Sequence, residues 1–211
     1  MNRKILYSIP WLLLYSRLAI AILFTLMWWR TDWYFNHQNL VLGLFCFGFI
    51  GDIFDGIIAR ALKMDTTKLR RLDSLFDMFF WVASTYLLYI GHSTLQQTLL
   101  VGGGIVLGII AIEYIVCFSK FGKGPSSHNT ISKFFGLSLF AFFVLGFLGI
   151  DARKFGVGVF VFGAIARLDA LLIYVLLKEW THDIPSFRHA LKLNNGEKLN
   201  KNRLFHSEHV K

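Results

Sequence analysis

Asp52 and Asp55 lie inside the apolar run Gln38–Leu62, and Asp73 and Asp77 open the next one, Leu72–Gly91. A carboxylate held in hydrocarbon costs several kcal/mol unless it is paired, neutralised or bound to a cation. Four of them within one stretch of chain point to an intramembrane metal site. At the helical repeat, Asp52, Asp55, Gly56, Ala59 and Arg60 fall within one sector of about 140°. Asp73 and Asp77 are four apart and therefore stacked on one face of the following helix. Where those faces meet, the carboxylates bind Mg²⁺ or Mn²⁺, hard ions that take oxygen ligands. Gly56 and Ala59 leave room for a ligand against the backbone, and Arg60 offers a planar fork that matches phosphate. The chemistry this constellation suits is phosphate chemistry.

The spacing is Asp52-x2-Asp55-Gly56-x2-Ala59-Arg60-x8-Leu69-x3-Asp73-x3-Asp77. It resembles the signature of the CDP-alcohol phosphotransferase family, also called CDP-alcohol phosphatidyltransferases. That signature reads D-x2-D-G-x2-A-R, eight residues, then G-x3-D-x3-D. Seven of its eight fixed positions stand at the right spacing over the 26 residues from Asp52 to Asp77. A fainter echo lies in Pro10 and Arg17, against the P-N-x-x-T-x-x-R found near that family's first helix; Trp11 and Leu14 replace its polar residues. The departure is Leu69, where the family has a glycine beside the nucleotide.

The resemblance implies definite roles. Asp52, Asp55, Asp73 and Asp77 hold one or two divalent metals, and Asp77 also acts as base toward an acceptor hydroxyl. Gly56, Ala59 and Arg60 contact the CDP moiety of the donor. The activity implied is transfer of a phosphoalcohol group, phosphatidyl foremost, from a CDP-alcohol such as CDP-diacylglycerol to a small hydroxylated acceptor. CMP is released, and a homodimer is expected. Leu69 then implies an altered donor fit, or a non-catalytic member of the family. The rival from another class is a cation transporter or channel that uses the same carboxylates as an ion path.

These residues need helices long enough to cross a bilayer, and the composition supplies them. Only 17% of residues are charged while 55% are hydrophobic, so an ordinary soluble domain is excluded in favour of an integral membrane protein. A crossing takes roughly 20 apolar residues. Six segments approach that length: Ile9–Trp29, Gln38–Leu62, Leu72–Gly91, Gln97–Phe118, Phe134–Ile150 and Lys154–Leu177. The fold expected is an all-α bundle of six transmembrane helices over residues 1–177, followed by a basic cytoplasmic tail over 178–211 with a helix near Phe187–Leu193. A cleaved signal peptide is not expected, because Arg17 interrupts the apolar region it would need. The net charge of +9 gathers at the ends of apolar segments and in the tail, which suits anionic lipid headgroups rather than nucleic acid. Arg3, Lys4, Lys63, Lys68, Arg70, Arg71, Lys120, Lys123 and Lys133 mark one side of the membrane, so both termini and the aspartates are expected to be cytoplasmic.

Each remaining polar residue has a plainer reading beside the functional one. The aspartates could simply pair with Arg60 and the loop arginines, but two pairs in register favour the site. Asp65 is read as solvated. Glu113 either supports the site or pairs with Arg17 or Arg167, pairing being favoured, and Asp169 is expected to pair with another helix. His128 and Lys133, in a polar stretch on the cytoplasmic side, either bind the acceptor or form an interfacial loop with Lys133 snorkelling to headgroups. Trp28, Trp29, Trp33 and Tyr34 are read as a membrane-interface belt, and His182, His189, His206 and His209 as solvated tail residues. Gly102, Gly103 and Gly104 are read as close helix packing, and Cys46 and Cys117 as packing residues without zinc or disulfide spacing.

Overall fold

The computed structural model describes residues 3–62, 67–125, 130–180, 184 and 186–194; the side chains of residues 3–7, Arg60, Thr67, Lys68, Arg70, Arg71, Thr130 and Asn194 lie outside that description. Within it the fold is all-helical. In chain order the helices are α1 (Arg3–Trp29), α2 (Thr31–Asn36), α3 (Gln38–Ala61), α4 (Thr67–Gly91), α5 (Ser93–Phe121), α6 (Thr130–Phe147), α7 (Arg153–Leu176) and α8 (Phe187–Asn194). Five contain stretches long and apolar enough to cross a membrane: Ser8–Trp29, Gln38–Ala59, Leu72–Gly91, Ser93–Phe121 and Arg153–Leu176. A shorter apolar helix covers Ile131–Phe147. The protein is therefore a multi-pass membrane protein by its helices. Many of their large apolar side chains, such as Leu12, Leu107 and Ile115, point outward, as they do where the surrounding solvent is lipid.

The chain divides into two compact units. The first holds α1 to α4, the first turn of α5 and residues 143–151. Its centre is aromatic. Phe80 stacks on Phe45 with ring centroids 5.6 Å apart and on Phe24 at 6.3 Å, and Phe45 also meets Phe143 and Phe147 at 5.4 and 5.3 Å. Gly48 on α3 makes this packing possible, since a Cβ there would stand 2.6 Å from the Phe80 ring. Helix α1 packs against both α3 and α4, and so touches each of the helices that carry the aspartates. Tyr34 on α2 is fully buried, and its hydroxyl lies 3.3 Å from Nε2 of His92 in the turn between α4 and α5. It serves packing rather than the interface belt expected of it, whereas Trp29 and Trp33 are exposed.

The second unit holds the rest of α5, the bulk of α6, α7 and α8. Small residues again set the spacing. Phe160 lies against Gly102, Phe135 against Gly163 and Phe142 against Gly156, where a Cβ would collide with each ring. Of the three consecutive glycines only Gly102 is tightly packed; Gly104 has nothing within 4 Å. The expected helix near Phe187–Leu193 is α8, which packs on α7. Ile184 and Ala190 are buried with Cys117, Ile173 and Tyr174 in one apolar cluster. Asp169 of α7 accepts a hydrogen bond from the Phe187 backbone N–H at 3.2 Å, placing a carboxylate at the positive end of α8.

Candidate metal and phosphate site

Helix α3 presents Asp52 and Asp55 about two turns before its carboxyl end, and α4 presents Asp73 and Asp77 in its second and third turns. The two helices meet through the Phe45–Phe80 contact, with Gly48 four residues before Asp52 and Phe80 three residues after Asp77. That register brings the acidic faces together. Carboxylate oxygens of Asp52, Asp55 and Asp73 all lie within 4.8 Å of one another. Asp77 stands beside this trio, tied to it by an arginine that the reading of the sequence had not placed at the centre.

That arginine is Arg17 of α1. Its Nη2 lies 2.8 Å from Asp52 and 2.6 Å from Asp55, while Nη1 donates to Asp73 at 3.1 Å and to Asp77 at 2.5 Å. One nitrogen serves α3 and the other serves α4. The Arg17 side chain is 1% exposed and that of Asp55 is 8%, but Asp52, Asp77 and Asp73 are 35%, 32% and 39% exposed. Arg17 and Asp55 thus form a floor, and the other three carboxylates form a rim that a ligand can reach. The Nε of Arg17 is buried without a hydrogen-bond acceptor among the described residues. The signal for this arginine was present in the sequence, as a charge in the middle of an apolar run. Its partners were not, because pairing with Glu113 was equally open to it.

Glu113 is taken instead by Arg167, whose Nη2 lies 2.5 Å from Oε2 and joins α5 to α7 in the second unit. Asp169, two residues on, turns to α8, as its different helix face requires. Both of these charges hold helices together in the structure. Cys117 is fully buried and Cys46 partly so, both as free thiols.

The rest of the expected site is placed as follows. Gly56 is half-buried on the same face of α3 as the aspartates. Ala59 is buried in an apolar cluster with Leu14, Leu69 and Phe76, with Trp11, Leu18 and Leu72 packed against it. Leu69, where the family signature has glycine, therefore fills space beside Ala59 instead of leaving it open. The Arg60 side chain and all of His128 lie outside the described residues. Lys133 is exposed near the start of α6, in the second unit.

Oxygen donors alone, drawn from two helices and partly open to solvent, form a set that fits a hard divalent cation. The rim leaves Asp52, Asp73 and Asp77 partly exposed rather than sealed inside the helices. A family profile described as CDP-alcohol phosphatidyltransferase matches residues 7–162, a stretch that includes Arg17 and all four aspartates. No curated protein and no solved structure matches the chain.

Proposed function

The chain belongs to the CDP-alcohol phosphatidyltransferase family, and on that premise we propose that it transfers a phosphatidyl group from CDP-diacylglycerol to a small hydroxylated acceptor in phospholipid biosynthesis. The observation that carries this reading is the convergence of Asp52, Asp55 and Asp73 within 4.8 Å, with Asp77 joined to them through Arg17. In the proposed reaction the acceptor hydroxyl forms a new oxygen–phosphorus bond, the bond from that phosphorus to CMP breaks, and the hydroxyl proton passes to Asp77. Asp52, Asp55, Asp73 and Asp77 would hold one or two Mg²⁺ or Mn²⁺ ions, whose charge would neutralise the diphosphate and the departing CMP. Gly56, Ala59 and Arg60 line the donor side, where Arg60 supplies a bidentate fork to a phosphate. His128 and Lys133 are proposed for the acceptor. The site and both termini face the cytoplasm, six helices cross the membrane, and two copies form a homodimer.

The test is CMP release from CDP-diacylglycerol by detergent-purified protein with Mg²⁺ or Mn²⁺. The acceptors are glycerol 3-phosphate first, then inositol, inositol phosphate and serine. Turnover with at least one acceptor is expected; no turnover with any CDP-alcohol defeats the proposal. The burial of Leu69 against Ala59 favours one second reading, a member with altered donor fit or none. Leu69→Gly separates these, since unchanged activity in that variant removes the leucine as a determinant. A cation path is disfavoured by Arg17, which sets a fixed positive charge among the carboxylates such a path would use.

A further inference from the structure

Arg17 stands where a bound cation would be expected to act, and its geometry is more specific than a salt bridge requires. Its guanidinium divides by helix: Nη2 takes the α3 carboxylates Asp52 and Asp55, and Nη1 takes the α4 carboxylates Asp73 and Asp77. The group comes from a third helix, α1, that packs against both. It is almost wholly buried, and its Nε has no acceptor among the described residues, so these contacts are made through its two terminal nitrogens. With all four carboxylates ionised, one positive charge faces four negative ones, an excess of three negative charges within this group. Like charges this close repel one another. The arginine therefore holds the carboxylates in place without satisfying them.

We propose that Arg17 is a resident counter-cation that gathers Asp52, Asp55, Asp73 and Asp77 before a divalent ion arrives, and competes with that ion for them. Arg17 is a positioning residue in this account, acting through the carboxylates. The proposal rests on the metal-site reading above. An ion drawing on the same carboxylates must weaken the hydrogen bonds that Arg17 donates to them. The occupancy of the site is then set by the difference between two cations, one tethered and one free. A purely structural arginine behaves in the opposite way. Its removal would disorder the carboxylates and weaken metal binding along with the fold.

The experiment uses the full chain purified in detergent and stripped with a chelator, as wild type, Arg17→Gln and Asp73→Asn. Mn²⁺ uptake is read by electron paramagnetic resonance of the free ion, and unfolding temperature is measured with and without Mn²⁺. Neither readout depends on turnover. Arg17→Gln is expected to unfold at a lower temperature without metal. It is expected to bind Mn²⁺ at least about tenfold more tightly than wild type, about 1.4 kcal/mol, and to regain stability when Mn²⁺ is added. Asp73→Asn is expected to bind Mn²⁺ more weakly than wild type. Unchanged or weaker Mn²⁺ binding by Arg17→Gln, with wild type binding normally, overturns the competition and leaves the metal site standing. Wild type that takes up no Mn²⁺ overturns both readings together. Should Arg17→Gln fail to fold, Arg17→Lys keeps the charge and loses the two-nitrogen fork. Tighter Mn²⁺ binding than wild type, by about threefold, supports the proposal in that variant, and equal or weaker binding refutes it.

Discussion

Among the individual residues, Asp77 separates a metal-holding role from a chemical one most sharply. It shares Nη1 of Arg17 with Asp73, but it is not one of the three carboxylates whose oxygens draw within 4.8 Å. That position beside the trio suits a group that meets the acceptor hydroxyl. Replacing Asp77 with Asn keeps the shape and removes the proton acceptor. CMP release is expected to fall by about 10²–10⁴-fold, the usual worth of a general base. Mn²⁺ uptake in the same preparation should fall far less than in Asp52→Asn. Equal loss of metal and turnover in the two variants would place Asp77 among the ligands only.

At the scale of the helix, α3 and α4 approach one another one turn from the aspartates, where the edge of the Phe80 ring lies against Gly48. A Cβ at that position would come within 2.6 Å of the ring, so Gly48→Ala must push Phe80 out of its stack between Phe45 and Phe24. Overpacking of this kind costs about 1–3 kcal/mol. Because Phe80 follows Asp77 by three residues, the displacement also reaches the site. Lower unfolding temperature together with reduced CMP release is expected, and a stable variant with full activity would show that the spacing tolerates change.

The turn between α4 and α5 carries a different dependence. Burial pushes the Tyr34 hydroxyl up to about 12, so it keeps its proton, and burial lowers the pKa of His92 below its ordinary 6.5. The unfolded chain therefore takes up a proton at His92 below about pH 6.5 that the folded protein refuses. Stability from this pair is full above that pH and is lost as pH falls through the folded value. Unfolding temperatures followed from pH 7.5 downward should drop, and His92→Gln should flatten the part of that drop due to this turn.

For the molecule as a whole, the proposed metal site, built from two helices and a bridging arginine, would make a bound ion part of the folding equilibrium. An ion held only by the folded form stabilises it by about 2.7 kcal/mol at a hundredfold excess over its dissociation constant. Chelation should thus lower the unfolding temperature of the wild type, and Mg²⁺ or Mn²⁺ should restore it. Asp52→Asn should respond little to either treatment. A wild type indifferent to chelator would mean that Arg17 alone satisfies the aspartates.

The sequence by itself determined the membrane class, the positions of most long helices and the four aspartates with their spacing. Each of these follows from composition and a helical repeat, which act along the chain and need no knowledge of what lies across from it. It also marked Arg17 as a charge where an apolar residue belonged. Only the tertiary structure decided what that charge was for. Arg17 and Asp77 are 60 residues apart in sequence and hydrogen-bonded in space, and no periodicity relates helices that meet through packing. The same holds for Glu113 with Arg167, for Tyr34 beneath its turn and for Leu69 closing over Ala59. A buried charge or a large side chain must find a partner or a hole, and which one it finds depends on how the helices pack.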